Sequence, residues 1–264
     1  SPELLLVQQL NRKQNHSKIL GVNVKSNVAN LIFEEQDETW IDVLSNWENT
    51  YGLTYRHEFK WINAGKEFLW FSEKDGWRHL YRIGLDGKVT PVTTGAYDVI
   101  NLLQVDEKAN RIYFHASPEN ATQKYLYTIS LDGKGKPKRV TPMELEGTHS
   151  YVVSPSGGYA MHQFSNSYTR PASEWISLPK HLPLDASQSI VSKLPKNQGE
   201  KTVEFFKINT ADGTEMDGWM VKPKNFDPTK KYPVLFYVYT EPWGANVKDN
   251  FGVGRNRNYQ GDMS

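Results

Sequence analysis

A mainly β protein built from repeated, blade-sized sheets is the fold class that three observations predict. Aromatic residues make up 12% of the chain against a hydrophobic share of only 38%, and aromatics favour pleated, half-buried surfaces. A strand–turn–strand pattern recurs with a period in the forties. Asp-Gly turns, which supply the positive φ that tight hairpins require, close several of these hairpins.

The first unit is the least regular. It runs from Glu3 to about Val43, with Leu4-Leu5-Leu6-Val7 and Ile19-Leu20-Gly21-Val22 as strands. The second begins at the turn Asn63-Ala64-Gly65-Lys66 and continues through Phe68-Leu69-Trp70-Phe71-Ser72. A further strand and turn follow, Leu80-Tyr81-Arg82-Ile83-Gly84-Leu85-Asp86-Gly87-Lys88, and Val89-Thr90-Pro91-Val92-Thr93 closes the unit. The third echoes it as Ile112-Tyr113-Phe114-His115-Ala116-Ser117 and then Leu126-Tyr127-Thr128-Ile129-Ser130-Leu131-Asp132-Gly133-Lys134. Leu80 and Leu126 are 46 positions apart. A fourth contains Tyr159-Ala160-Met161-His162-Gln163-Phe164-Ser165 and Glu174-Trp175-Ile176-Ser177-Leu178. Four short strands in roughly 40–45 residues is the size of one propeller blade. About four blades are therefore expected in residues 1–192. A β-sandwich with coincidental hairpins is the competing architecture.

Beyond a linker at 193–201 the pattern changes. Val203, Phe205 and Ile208 lie along one ribbon, Ala211-Asp212-Gly213-Thr214 turns it, and Gly218-Trp219-Met220-Val221 returns. Pro223 and Pro228 forbid regular structure until Tyr232-Pro233 opens Val234-Leu235-Phe236-Tyr237-Val238-Tyr239. That run is apolar on both faces, as a covered central strand must be.

Composition excludes several function classes. Thirty-one basic against thirty acidic side chains leave a net charge of +1, so no strong field attracts nucleic acid or an anionic membrane. The absence of cysteine removes disulfides and thiol catalysis. No apolar run reaches the ~18–20 residues of a membrane-spanning helix, and Ser1-Pro2 opens no signal-peptide pattern. No G-x-S-x-G places a nucleophile. The seven histidines form no H-E-x-x-H, since His57-Glu58 is followed by Trp61, so histidines such as His79 and His162 are read as hydrogen-bonded structural residues. Neither a metal nor a cofactor is expected. Asn120-Ala121-Thr122 is a formal glycosylation sequon of little weight.

Three segments carry a family resemblance. They are Gln8-Gln9-Leu10-Asn11-Arg12-Lys13-Gln14-Asn15, then Ser72-Glu73-Lys74-Asp75-Gly76-Trp77-Arg78-His79-Leu80-Tyr81, and Lys231-Tyr232-Pro233 with Val238-Tyr239. With them the chain resembles the prolyl oligopeptidase family, in its bacterial dipeptidyl peptidase IV-like branch. The resemblance implies a partial β-propeller at 1–192 and the first strands of a truncated α/β-hydrolase domain at 202–264. It implies a fragment of a serine exopeptidase that releases N-terminal dipeptides with Pro or Ala second, its Ser, Asp and His lying after residue 264. Tyr239 would then be an oxyanion-hole donor, although Thr240-Glu241-Pro242 replaces the family's usual small residues before Pro. The family holds the substrate amine with a glutamate pair in a D-W-x-Y-E-E segment. Glu34-Glu35 has different neighbours and is read as solvated strand-end charge, the true pair preceding Ser1. The resemblance further implies a peptide substrate, a parent able to pair as a homodimer, and a periplasmic or secreted location. Competing readings are a non-enzymatic propeller that binds a peptide or protein partner and, within the family, an endopeptidase or acylaminoacyl peptidase.

Overall fold

The computed structural model describes residues 3–42, 59–194, 203–238 and 246–253. The chain divides into two compact units. One comprises residues 1–118, 126–140 and 153–159; the other comprises 119–125, 141–152 and 160–264.

The first unit holds three antiparallel sheets in the main. Strands β1 (Leu4–Leu10), β2 (His16–Asn23) and β3 (Val28–Gln36) form the first. The second comprises β4 (Lys60–Ile62), β5 (Glu67–Ser72), β6 (His79–Gly84) and β7 (Val89–Pro91). The third comprises β8 (Val99–Asp106), β9 (Arg111–Ala116), β10 (Tyr125–Ser130) and β11 (Lys138–Arg139). In every sheet, strands consecutive in sequence are neighbours in space. A Greek-key sandwich would interleave them, so the meanders support blades over the competing architecture.

The repeat extends to individual hydrogen bonds. Asp86 Oδ1 accepts from the Lys88 amide and Asp132 Oδ1 from the Lys134 amide, both at 3.1 Å. Gly87 has φ 83° and Gly133 φ 74°, a region that costs an L-residue energy and glycine nothing. A Cβ on Gly133 would also lie 2.5 Å from the Pro91 carbonyl oxygen, so glycine is required there twice over. One turn later in each sheet, Val92 N donates to Leu80 O at 2.8 Å and Val140 N to Leu126 O at 2.7 Å.

Positions 68–72 of β5 and 112–116 of β9 are all buried. Their largely apolar character follows from being covered on both faces. One core cluster of this unit joins Ile19, Ile32, Phe33, Phe68, Trp70, Tyr81 and Ile83.

The second unit carries the sheet β12 (Thr148–Val153), β13 (Tyr159–Ser165), β14 (Ala172–Ser177) and β15 (Leu182–Pro183). A four-residue helix, α1 (Ile190–Lys193), follows, and its Ile190 packs with Leu145 and Phe164. Here the strands alternate: Ala160, His162 and Phe164 are buried, whereas Tyr159 and Gln163 are exposed. Tyr159, Trp175, Leu182 and Leu184 leave more than half their surface in solvent. The hairpin β16 (Val203–Asn209) and β17 (Glu215–Val221) pairs as expected, from Val203 with Val221 to Asn209 with Glu215. Its Thr210–Thr214 turn repeats the Asp-Gly chemistry, with Asp212 Oδ1 accepting from the Thr214 amide at 3.2 Å.

One expectation fails. Residues 234–238 form no strand and are 67–83% exposed. A strand exists only with a ladder partner, and among the described residues none lies beside this run.

Candidate functional site

Tyr239, the expected oxyanion donor, and the residues through Ala245 lie outside the described residues. The chain is described again at 246, and there a firm anchor appears. Asp249 is buried. Its Oδ1 accepts from the Ser167 amide at 2.8 Å and its Oδ2 from Gln123 Nε2 at 2.9 Å. Its amide donates to Thr122 O at 2.7 Å, and its carbonyl accepts from Thr148 Oγ1 at 2.8 Å. Bonds to a carboxylate, as from Ser167 and Gln123, are about twice as strong as the neutral backbone ones beside them. They clip the segment after Tyr239 onto the loops around β12 and β13.

The two glutamates of β3 separate, because neighbouring residues on a strand face opposite sides. Glu34 is exposed and pairs with His16 and Lys18, as expected of a solvated charge. Glu35 corrects that expectation: it is half-buried and accepts from Ser72 Oγ at 2.5 Å. With Trp40, Phe71, Ser72, Glu73 and Arg78 it lines a small crevice in the first unit. The Arg78 guanidinium lies 4.0 Å from the Phe71 ring centre and donates to the carbonyls of Val99 and Ile100 at 2.7 and 3.0 Å. Burial pushes the Glu35 carboxyl above the usual carboxylate range, against the Ser72 hydrogen bond and the Lys74 charge. Burial and then the charge of Asp42 raise Glu73 as well. Such a crevice can hold a cationic group between carboxylates.

The raised Glu35 has a consequence for stability. The folded chain binds this proton more tightly than the unfolded one. Its contribution is therefore complete below the unfolded pKa and is lost as pH rises through the raised folded value. Glu35→Gln is expected to be more stable than the unaltered chain at pH 7, with the gap closing toward pH 4. Urea midpoints across that range measure it, and a gap that stays constant with pH contradicts it.

The densest polar constellation lies in the fourth sheet. His149 and Tyr151 are two apart on β12 and so share a face; His162 on β13 and Glu174 on β14 are their cross-strand neighbours, and the turn before β15 adds His181. All are buried. His149 Nε2 donates to Leu145 O at 2.9 Å, and His149 Nδ1 lies 2.8 Å from His162 Nε2. His162 Nδ1 lies 2.8 Å from Glu174 Oε1, while Glu174 Oε2 accepts from the Ile190 amide at 3.0 Å. Tyr151 stacks on His162 at 4.5 Å, with its hydroxyl 3.0 Å from His181 Nε2 and 2.9 Å from Thr141 Oγ1. Burial lowers the His162 imidazole despite its carboxylate partner. Burial and the neighbouring His162 charge bring His181 down to about 4. Glu174 is pushed up by burial, but bonds from His162 and Ile190 outweigh that and hold it below its usual value.

His79 is hydrogen-bonded within its sheet as expected, and His115 is held in a similar way. His79 bonds Thr93 Oγ1 at 3.0 Å and Gly95 O at 2.9 Å, and His115 bonds Asn101 Oδ1 at 2.8 Å.

Comparison with known proteins places these features in a family. Residues 1–171 match the family described as the dipeptidyl peptidase IV (DPP IV) N-terminal region. The chain belongs to that family. Among curated proteins, it is 30% identical over 246 residues to a probable dipeptidyl peptidase 4 of Arthroderma benhamiae, covering 90% of this chain and 30% of the relative. It is 31% identical over 244 residues to dipeptidyl peptidase 4 of Arthroderma otae, again covering 90% and 30%. The chain thus spans about 30% of the length of these relatives. The crystal structure of Porphyromonas gingivalis dipeptidyl peptidase 4 superposes with a TM-score of 0.74 at 26% identity, covering 94% of this chain and 34% of that one. A putative dipeptidyl aminopeptidase IV from Bacteroides ovatus shares the fold, with a TM-score of 0.72 at 22% identity over 94% and 36% of the two chains.

The mainly β, partial-propeller reading of this DPP IV-type chain stands. Sequence reasoning missed the His149–His162–Glu174–His181 constellation, because its members come from three strands and a turn. The available signal was the alternation in Ala160-Met161-His162-Gln163-Phe164, which puts His162 on the face of Ala160 and Phe164.

Proposed function

We propose that this chain forms the later propeller blades and the start of the α/β-hydrolase catalytic domain of a serine exopeptidase. The parent removes N-terminal dipeptides with Pro or Ala in the second position. Residues 1–192 are propeller, 193–201 linker and 202–264 the beginning of the catalytic domain. The observation that carries this reading is the extent of the likeness to the P. gingivalis dipeptidyl peptidase 4, which covers 94% of the chain and so runs past the family region ending at residue 171. The exposed apolar residues 234–238 support it, since an uncharged run of this kind calls for covering strands and helices. In the parent, Tyr239 donates to the oxyanion, peptide is the substrate, the subunit pairs as a homodimer, and the location is periplasmic or secreted. Among the described residues no helix is long and apolar enough to cross a membrane.

Two preparations test this. The 264-residue chain alone is expected to leave a Gly-Pro chromogenic dipeptide intact, because an oxyanion donor without nucleophile, base and acid cannot turn over an amide. The full-length protein is expected to hydrolyse it and to be labelled by a fluorophosphonate. Turnover by the purified 264-residue chain, or a full-length protein that neither hydrolyses nor labels, refutes the proposal.

A further inference from the structure

The buried constellation of the fourth sheet contains a contact that two neutral imidazoles and a carboxylate cannot satisfy. A carbonyl oxygen only accepts, so His149 carries its proton on Nε2, facing Leu145 O at 2.9 Å. His149 Nδ1 is then the acceptor of a neutral ring, and His162 Nε2, 2.8 Å away, must donate to it. Neutral His162 is left with its Nδ1 lone pair directed at Glu174 Oε1, 2.8 Å distant. Glu174 Oε2 is already occupied by the Ile190 amide. Two acceptors thus face each other where the side chains are only 0% and 3% exposed. Buried polar atoms are very rarely left in this way, so a positive species belongs between them: one further proton, or a metal ion.

The third group decides between these. His181 converges on the same point, and one donor atom from each of His162, Glu174 and His181 lies within 4.8 Å of the others. A proton shared by His162 and Glu174 leaves that convergence unexplained. We propose that His162, Glu174 and His181 bind one divalent transition-metal ion of the zinc type inside the fourth sheet, with a water molecule as the fourth ligand. Two imidazoles and a carboxylate are a zinc donor set. Bonds of ~2.0–2.1 Å at tetrahedral angles place donors about 3.3 Å apart. The His162–Glu174 contact therefore opens by ~0.5 Å and His181 swings inward by up to ~1.5 Å to meet that spacing. The outer support that orients metal ligands is present. His149 takes the second ring N–H of His162, the Ile190 amide holds Glu174 Oε2, and the Tyr151 hydroxyl, itself tied to Thr141, meets His181 Nε2. Bound there, the ion cross-links β13, β14 and the turn before β15.

The 264-residue chain, stripped with chelator and dialysed against zinc chloride, tests the site. One zinc per chain is expected to survive gel filtration, the melting temperature is expected to rise with zinc concentration, and cobalt in place of zinc is expected to give the visible absorption of a four-coordinate site. Glu174→Gln provides the control. Its amide N–H supplies the proton that His162 Nδ1 lacks, and its carbonyl still accepts from Ile190, so this variant folds without a cation. It is expected to bind zinc at least ~10²-fold more weakly and to melt at a zinc-independent temperature. No retained zinc with an unmoved melting curve overturns the proposal and leaves a shared proton in its place. Equal uptake by the unaltered chain and Glu174→Gln overturns it too, since the ion then sits elsewhere, for example at the surface pair His16 and Glu34. Should the variant fail to fold, the cobalt spectrum decides alone: a purely octahedral, near-colourless spectrum sinks the site.

Discussion

Tyr239→Phe, made in the full-length peptidase proposed above, is expected to lower kcat about 10²–10³-fold and to leave KM nearly unchanged. The substitution keeps the ring and deletes one O–H. A phenol with pKa ~10 stays protonated at neutral pH, so it can donate to an oxygen that becomes negative only as the tetrahedral intermediate forms. Loss of such a donor costs ~3–4 kcal/mol in the transition state and little in the ground state. A packing role predicts the opposite pattern, with Phe nearly silent and Tyr239→Ala mainly lowering stability. Steady-state kinetics on the Phe variant separates the two. A kcat within about threefold of the unaltered enzyme assigns Tyr239 to the scaffold.

Phe68→Ala is expected to destabilise the first unit by about 3–5 kcal/mol. Phe68 is 0% exposed. Its ring centre lies 5.3 Å from Phe59, 5.8 Å from Trp61 and 6.3 Å from Trp70, the last two edge-on. Edge-on aromatic pairs add to the area they bury, and three surrounding rings cannot collapse into the space of a lost one. Urea titration followed by tryptophan fluorescence measures the change. Phe236, 83% exposed, provides the matched control: in this chain its replacement by alanine is expected to cost within ~0.5 kcal/mol. A Phe68→Ala midpoint equal to that control contradicts a closed core around β5.

The elements easiest to read in the sequence were those whose signal is local. Leu80-Tyr81-Arg82-Ile83 and its echo Leu126-Tyr127-Thr128-Ile129 announced strands. The Asp-Gly pairs at 86–87, 132–133 and 212–213 announced hairpins, because a carboxylate two residues before an amide and a glycine at positive φ are fixed by neighbours in the chain. Residues 234–238 read as a strand from side-chain character alone, but pairing is a property of two segments and no partner is described. Glu35 read as a solvated charge because nothing local announces Ser72, 37 positions away, as its hydrogen-bond donor. The histidine constellation was hidden for the same reason. His149, His162, Glu174 and His181 match no spacing template, and cross-strand register, which sequence patterns encode only faintly, brings them together.

The Asp249 clip bears on the order in which the chain acquires its structure. Its bond to Gln123 spans 126 positions, so it is among the most non-local contacts described. Ladders such as β5 with β6 close within a few residues and cost little chain entropy, whereas a loop this long must be closed before its contacts reward it. Synthesis adds roughly 5–20 residues per second. For several seconds after the fourth sheet emerges, the loops at 122–123 and 148 and the amide of Ser167 therefore wait for Asp249, whose carboxylate and backbone will satisfy them. Completion of the second unit is in this way timed by the arrival of the segment that follows Tyr239.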